Sequence, residues 1–203
     1  MKSVAYPISA DPITFGHIDI IKRAFELFGN LTIVVANNLN KKYIFSIDER
    51  VLMIKDVCKS MNLNINVMKC DGLLVDFLYS NKIEVVIRGI RNSNDFDYEN
   101  IIYNANQTQH LDIETIILLT NKKYSYISSS VVKSLFYENG DISDLVPPSV
   151  KSYLEKKKFN YIILGVTGSI CSGKSTICKT LCELNVDDFK FYNIDLDKLT
   201  YEI

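Results

Sequence analysis

The hydrophobic positions of this chain alternate between two periods. Residues 4–6 form a short apolar run that stops at Pro7. Over 16–28 the apolar residues Ile18, Ile21, Ala24, Phe25 and Phe28 follow helical spacing. Residues 31–36 are an unbroken, β-branched run, which suits a strand buried on both faces. Ser46 and Glu49 make a capping box, predicting a helix that runs to about Met61. The alternation continues with strands over 65–68, 84–87 and 115–119 and helices over 73–79, 95–110 and 128–137. Pro147 and Pro148 open a further helix that closes on Lys156, Lys157 and Lys158. Strand and helix in regular turn predict an α/β, Rossmann-like, doubly wound parallel sheet. Ligands of such sheets bind beyond the carboxyl ends of the strands.

After the lysine run the pattern restarts. A strand over 161–166 leads into a glycine-punctuated loop at 168–175, a helix over 176–184 and a strand over 189–194. One such unit is too small to close its own core. The expected organisation is a first domain over 1–158 and an incomplete P-loop βαβ unit over 159–203, the start of a truncated second domain.

Composition narrows the function classes. In 203 residues, 47% are hydrophobic and 23% charged, which excludes disordered and fibrous classes. The net charge of −1 leaves no global field to hold nucleic acid or an anionic membrane. The longest apolar runs are too short to span a bilayer, and Asp11 interrupts the N-terminal one, so neither membrane nor secretion is expected. Cys58, Cys70, Cys171, Cys178 and Cys182 are odd in number and lack C-x-x-C spacing. They read as thiols of a reducing cytoplasm rather than a disulfide framework or zinc site.

The unusual residues gather after the strands. Ser9, Asp11, Pro12, Thr14, Gly16 and His17 lie where the first strand turns into its helix. Free N–H groups there suit a phosphate, and His17 falls in the first turn. Equally, Asp11 and Thr14 can be caps and His17 a packing residue. Arg88-Gly89-Ile90-Arg91 follows a buried strand, and guanidinium forks suit phosphate oxygens. The plainer alternative is ion pairing with Asp95, Asp97 or Glu99, and the two readings are compatible. Ser128, Ser129 and Ser130 open a helix that needs only one cap. Lys41 and Lys42 follow the second strand. Taken together, these segments put an imidazole, two guanidiniums, a lysine and two helix N-termini at one sheet edge. That suits a substrate with several phosphates and direct in-line transfer, since no nucleophile with a partnered base is visible.

On Asp-Pro-Ile-Thr-Phe-Gly-His at 11–17, Lys41-Lys42, the stretch 45–50, the stretch 87–91, the stretch 95–99 and Ser-Tyr-Ile-Ser-Ser-Ser at 125–130, residues 1–158 resemble bacterial phosphopantetheine adenylyltransferases. The resemblance implies attack of the 4′-phosphopantetheine phosphate on the α-phosphorus of ATP, giving 3′-dephospho-CoA and diphosphate. It implies that His17, Lys41 and Arg91 are catalytic. Ser9, Ala10, His17, Gly89, Ile90, Arg91, Glu99, Tyr124, Ser125, Tyr126, Ile127, Ser128, Ser129 and Ser130 would bind ATP. Ser9, Lys41, Leu74 and Arg88 would bind phosphopantetheine. It further implies Mg²⁺ as a phosphate counter-ion without assigned protein ligands, and a homo-oligomer, a hexamer in this family. Where the family reads Gly-Thr/Ser-Phe-Asp-Pro, this chain has Ile8-Ser9-Ala10-Asp11-Pro12. A β-branched Ile8 cannot take a positive φ cheaply, so weakened ATP binding is expected, and a non-catalytic nucleotide-binding homologue is the alternative.

Gly168-Ser-Ile-Cys-Ser-Gly173-Lys174-Ser175 fits the Walker A pattern. With Asp195 or Asp197 one strand later, it resembles the beginning of dephospho-coenzyme A kinase, the next step of the same pathway. A truncated bifunctional transferase and kinase is the corresponding alternative.

Overall fold

The computed structural model describes residues 2–38, 41–109, 113–159, 164–184 and 190–195. The chain divides into two compact units, Met1–Ile162 and Ile163–Ile203. In the first unit the order is β1 (Val4–Ile8), α1 (Phe15–Phe28), β2 (Leu31–Ala36), α2 (Ile47–Ser60), β3 (Asn66–Cys70), α3 (Leu74–Ser80), β4 (Val85–Ile90), α4 (Ser93–Gln107), β5 (Glu114–Leu119), α5 (Ser129–Tyr137) and α6 (Pro148–Phe159). The strands lie in the order β3-β2-β1-β4-β5, and every neighbouring pair is parallel. The chain therefore builds outward from β1 to β3, returns, and lays β4 against the other side of β1. That reversal is the switch point at which a doubly wound sheet opens a crevice.

Side chains alternate across the strands and feed two cores. Val4, Tyr6, Ile8, Ile33, Val35, Val85 and Ile87 pack with residues of α1, α2, α5 and α6. Ala5, Val34 and Val86 pack on the other face with Val75 and Leu78 of α3. The predicted α/β sheet with helices on both faces is thus the observed fold.

The strand ends differ from expectation in ways that matter for the site. β4 does not stop at residue 87 but continues to Ile90, because Arg88, Gly89 and Ile90 pair with Ile117, Leu118 and Leu119 of β5. Arg88 and Gly89 are strand residues, not loop residues. β1 continues through Pro7 to Ile8 along β2, whereas its pairing with β4 ends at Ala5 and Val86. Beyond Ala5, β1 is paired on one side only, which is where a residue without an N–H is tolerated. Helix α4 starts at Ser93 rather than 95 because the Asn92 side chain accepts from Asp95 N and caps it; His110, the expected end, lies outside the described residues.

The backbone also corrects the expectation about Ile8. Ile8 is an ordinary strand residue with a buried side chain in the larger core. The left-handed residue is Ala10, at φ 47°. The two departures from the family motif therefore act differently: Ile8 adds core contacts, while Ala10 carries the conformational cost.

In the second unit, α7 (Lys174–Glu183) begins two residues earlier than expected, because Gly173 caps it in the left-handed conformation, at φ 85°. The strands expected over 161–166 and 189–194 are not found in their described parts: residues 164–166 and 190–194 are irregular. Residues 161–163 and 189 lie outside the described residues. A strand exists only through a paired neighbour, and among the described residues of this unit there is none. No residue of α7 is buried. Among the described residues, no helix is long and apolar enough to cross a membrane.

Two substitutions separate the roles of the departing residues. Ile8→Gly should lower stability by about 3 kcal/mol, through an emptied core position and a flexible strand residue. Ala10→Gly should raise it by about 0.5–1 kcal/mol by relieving the left-handed strain. Urea unfolding of the full chain followed by circular dichroism reads both. Equal effects of the two substitutions would contradict the assignment of strain to Ala10.

Candidate active site

The crevice opens where β1 and β4 part. Its floor is Tyr6, buried, with its hydroxyl 3.3 Å from where a Cβ on Gly89 would stand. That same Cβ would lie 3.0 Å from Ile20 of α1, so a side chain at position 89 would press on the packing of α1 against β4. Burial, the largest influence, holds the Tyr6 phenol well above its ordinary range, so it remains a neutral hydroxyl.

His17 sits half-buried in the first turn of α1. Its Nδ1 accepts from the Thr14 backbone N–H at 3.1 Å and lies 2.9 Å from Thr14 Oγ1. An Nδ1 that accepts an N–H carries no proton, so the neutral ring bears its hydrogen on Nε2. Desolvation, followed by the charges of Arg91 and Lys41, pushes the His17 pKa down to about 4. At neutral pH His17 is therefore an uncharged N–H donor. The alternative reading of Thr14 as a cap and the functional reading of His17 describe one arrangement: the cap contact orients the ring.

The two arginines are both held by carboxylates. Arg88 Nε lies 3.1 Å from Glu99 Oε2. Asp95 accepts from Arg91 N at 3.0 Å, Nε at 2.8 Å and Nη2 at 3.0 Å. Arg91 Nη1 donates to Ile127 O at 3.3 Å, which ties the end of β4 to the segment leading into α5. These are the ion pairs of the plainer sequence reading, apart from Asp97, which enters no described ion pair with an arginine. Arg88, Glu99 and Val86 also line a cleft between α3 and α4, with Val75, Leu78 and Ile102. Leu74, at the start of α3, packs beside it against the smaller core.

The segment before α5 spends most of its polar groups locally. Ser128 Oγ caps α5 by accepting from Val131 N at 3.2 Å, and Ser129 Oγ donates to Pro12 O at 2.8 Å. Ser130 and Tyr126 are exposed, whereas Ile127 is buried. Ser125 Oγ donates to Lys122 O at 2.9 Å, and Tyr124 stacks on Phe15 with ring centres 6.3 Å apart. Ile90 is buried, and its carbonyl accepts from Thr120 N at 2.9 Å. Of the three serines, two are structural ties. The sheet edge thus brings together His17, Arg88, Arg91, Glu99 and the segment 124–130, with the charge of Lys41 reaching both His17 and Asp95.

Sequence reasoning passed over Tyr6, Tyr43, Arg50 and Lys133. Tyr43 and Arg50 contact Ser9, and Lys133 pairs with Asp11 at 2.9 Å across 122 positions. Lys133 gives no local signal. Arg50 lies in the 45–50 stretch that carries part of the resemblance, without a role attached.

The second unit contains the segment 168–175, whose spacing fits the Walker A pattern. A Cβ on Gly168 would stand 2.6 Å from Ser172 Oγ, so a larger residue there would displace the Ser172 side chain. Lys174 Nζ donates to Gly168 O and Ser169 O, each at 2.7 Å. Cys171 takes a left-handed conformation, at φ 65°. Ser175 lies in the first turn of α7. Asp195 is described and Asp197 is not.

Comparison with known proteins agrees with this geometry. A family profile described as cytidylyltransferase-like matches residues 6–135. A phosphopantetheine adenylyltransferase of Campylobacter hominis is 48% identical over 153 residues, covering 75% of this chain and 96% of that protein. One from Petrotoga mobilis is 44% identical over 77% of this chain and 96% of its own length. One from Clostridium botulinum is 46% identical over 78% of this chain and 98% of its own. The sheet that opens between β1 and β4 and the sequence that lines it lead to one family, and this chain is a member of the phosphopantetheine adenylyltransferases.

Proposed function

We propose that the first unit transfers the adenylyl group of ATP to 4′-phosphopantetheine, giving 3′-dephospho-CoA and diphosphate. A phosphate oxygen of the acceptor forms the new bond to the α-phosphorus as the bond to the β-phosphate oxygen breaks. The observation that carries this reading is the His17 ring held by Thr14 through Nδ1, which leaves the ring proton on Nε2. It would donate to an α-phosphate oxygen as charge builds there. Lys41 and Arg88 would hold the acceptor phosphate, with Leu74 along the pantetheine arm and Ser9 between the substrates. Arg91, Glu99, Gly89, Ile90, Ala10 and the segment 124–130 would bind ATP. The rate comes from positioning and charge neutralisation, without a covalent enzyme intermediate. Among the described residues no group of three or more His, Cys, Asp or Glu is disposed to hold a metal ion. Mg²⁺ would serve as a counter-ion on the ATP phosphates.

The reading extends to assembly and place. No residue of α4 is buried, and Phe96, Tyr98 and Ile101 are exposed along it, as is Leu119 on the edge strand β5. An apolar face of this kind supports a homo-oligomer, a hexamer by resemblance. The two buried thiols, Cys58 and Cys70, are unpaired, in keeping with a cytoplasmic setting. For the second unit we infer a phosphate-binding loop of the dephospho-coenzyme A kinase type at Gly168, Gly173, Lys174 and Ser175. Its support is the Walker A spacing and the close approach of Ser172 to Gly168.

Incubation with ATP, Mg²⁺ and 4′-phosphopantetheine, followed by chromatography for dephospho-CoA, tests the reaction itself. His17→Ala should cost roughly 3 kcal/mol of barrier, on the order of a hundredfold in rate, with the fold intact. Near-normal turnover would remove His17 from its role.

The chain has two histidines, so the His17 resonance is assignable by comparison with that variant. It should titrate near pH 4, where an ordinary histidine titrates near 6.5. The folded ring refuses a proton that the unfolded chain takes up. Stability should therefore fall as pH drops from about 6.5 towards 4 and should gain nothing from this group above that window. A midpoint near 6.5 in the folded protein would contradict the tautomer assignment.

Arg88→Ala should mainly raise KM for phosphopantetheine and Arg91→Ala that for ATP, each by about 1.5–3 kcal/mol of lost charged hydrogen bonding. Equal losses for both substrates from both variants would overturn the division of labour.

Lys174→Ala should remove one of two ATP-binding events seen by calorimetry and leave adenylyl transfer unchanged. A single event in the parent chain would count against the loop.

A further inference from the structure

A buried charge is costly unless it is well matched, so each one calls for a reason. Among the described residues two charged side chains are buried, Asp11 at 3% exposure and Arg50 at 1%. Arg50 Nη1 donates to Ser9 O at 2.6 Å and to Ala36 O at 3.5 Å, Nη2 donates to Asn37 Oδ1, and Nε donates to Ser46 O at 3.4 Å. Its guanidinium carbon lies 4.2 Å from the centre of the Tyr43 ring. The Tyr43 hydroxyl accepts from Asn38 N at 2.5 Å and reaches Ser9 Oγ at 3.5 Å. Lys41 N donates to Asn38 O at 3.0 Å. Asp11 accepts from Ile44 N and Phe45 N, each at 3.0 Å, and from Lys133 Nζ at 2.9 Å. The backbone is thus fixed before Lys41 at positions 36 and 38 and after it at 44, 45 and 46, with the side chains of Asn37 and Tyr43 held as well. Apart from the tie between Asn38 and Tyr43, these contacts lead back to the exit of β1 or to α2.

We propose that Arg50 and Tyr43 are positioning residues for the acceptor phosphate: they hold the segment bearing Lys41 against Ser9, so that the Lys41 charge is aimed before substrate arrives. The proposal rests on the assignment of Lys41 to that phosphate. A lysine is a point charge on a flexible stem, and ordering it on binding costs entropy. Fixing the main chain on both sides removes part of that cost in advance. The task needs arginine rather than lysine at position 50, because one planar fork serves several acceptors and stacks on a ring at the same time. Tyr43 closes the arrangement from the other side, since its hydroxyl joins Asn38 while its ring lies under the guanidinium.

Tyr43→Phe keeps the ring on Arg50 and removes the hydroxyl. Binding of 4′-phosphopantetheine and of ATP is measured separately on the full chain by calorimetry, alongside thermal unfolding. The variant should weaken phosphopantetheine about fivefold to tenfold, leave ATP within about twofold, and leave the unfolding midpoint unchanged. Arg50→Lys should shift the same ligand in the same direction by a larger factor. In a Lys41→Ala background, Tyr43→Phe should add less than about twofold, as expected for residues acting in one unit. Three results overturn the proposal: unchanged acceptor binding in Tyr43→Phe, equal weakening of both ligands, or a full additional loss in the Lys41→Ala background. If Lys41→Ala alone binds phosphopantetheine as the parent does, the assignment of Lys41 fails and takes the proposal with it. That outcome is distinguishable, because it appears in the single variant before any double variant is made.

Discussion

Two neighbouring strands that stop pairing make this site. β1 and β4 share a ladder at Val4–Val85 and Ala5–Val86 and then separate, while each stays paired on its outer side. A parallel sheet resists such a gap, because N–H and C=O groups facing it lose their partners. Here Tyr6 and Ile20 come close to Gly89, and Pro7 brings no N–H of its own to satisfy. The same separation gives His17 on α1, Arg88 on β4 and Arg91 beyond it a common space. The helices can take their places only because both outer ladders remain intact.

Much of this was legible in the chain itself. The alternating periods gave the doubly wound sheet, and Ser46 with Glu49 gave the start of α2, where each caps the other's backbone N–H at 3.2 and 2.7 Å. What the sequence hid was decided by contacts across long separations. Arg88 looked like a loop residue because the apolar run ends before it, but pairing with β5 keeps it in the strand. Ile8 looked strained because a glycine is usual there, yet its φ is ordinary and the strain sits at Ala10. Lys133 and Arg50 carried no role in the sequence reading, and neither their burial nor their partners follow from neighbours in sequence. In the second unit the strands expected from the apolar runs are not found in their described parts, since a strand is a property of a pair.

The carboxylates of the site show how a plain contact and a functional one coincide. Asp95 grips Arg91 through its Nε and Nη2, leaving Nη1 to reach Ile127 O. A guanidinium spent in this way still carries its charge to a ligand, but its direction is no longer free. Asp11 does the same for backbone N–H groups, and for Lys133. Several positive groups can therefore crowd one crevice without repelling one another apart, because acidic partners behind them neutralise the excess while the front stays open to phosphate.

The tautomer fixed by Thr14 has a consequence for direction. In the role proposed for it, a ring that donates from Nε2 and is reluctant to become imidazolium would neither take nor give up a proton during transfer. It leaves each turnover as it entered. The site then presents the same face to ATP with its acceptor as to dephospho-CoA with diphosphate, and by microscopic reversibility it speeds synthesis and pyrophosphorolysis alike. Nothing in the crevice acts as a ratchet. Net flow is set from outside, by whatever reactions consume diphosphate and the nucleotide product.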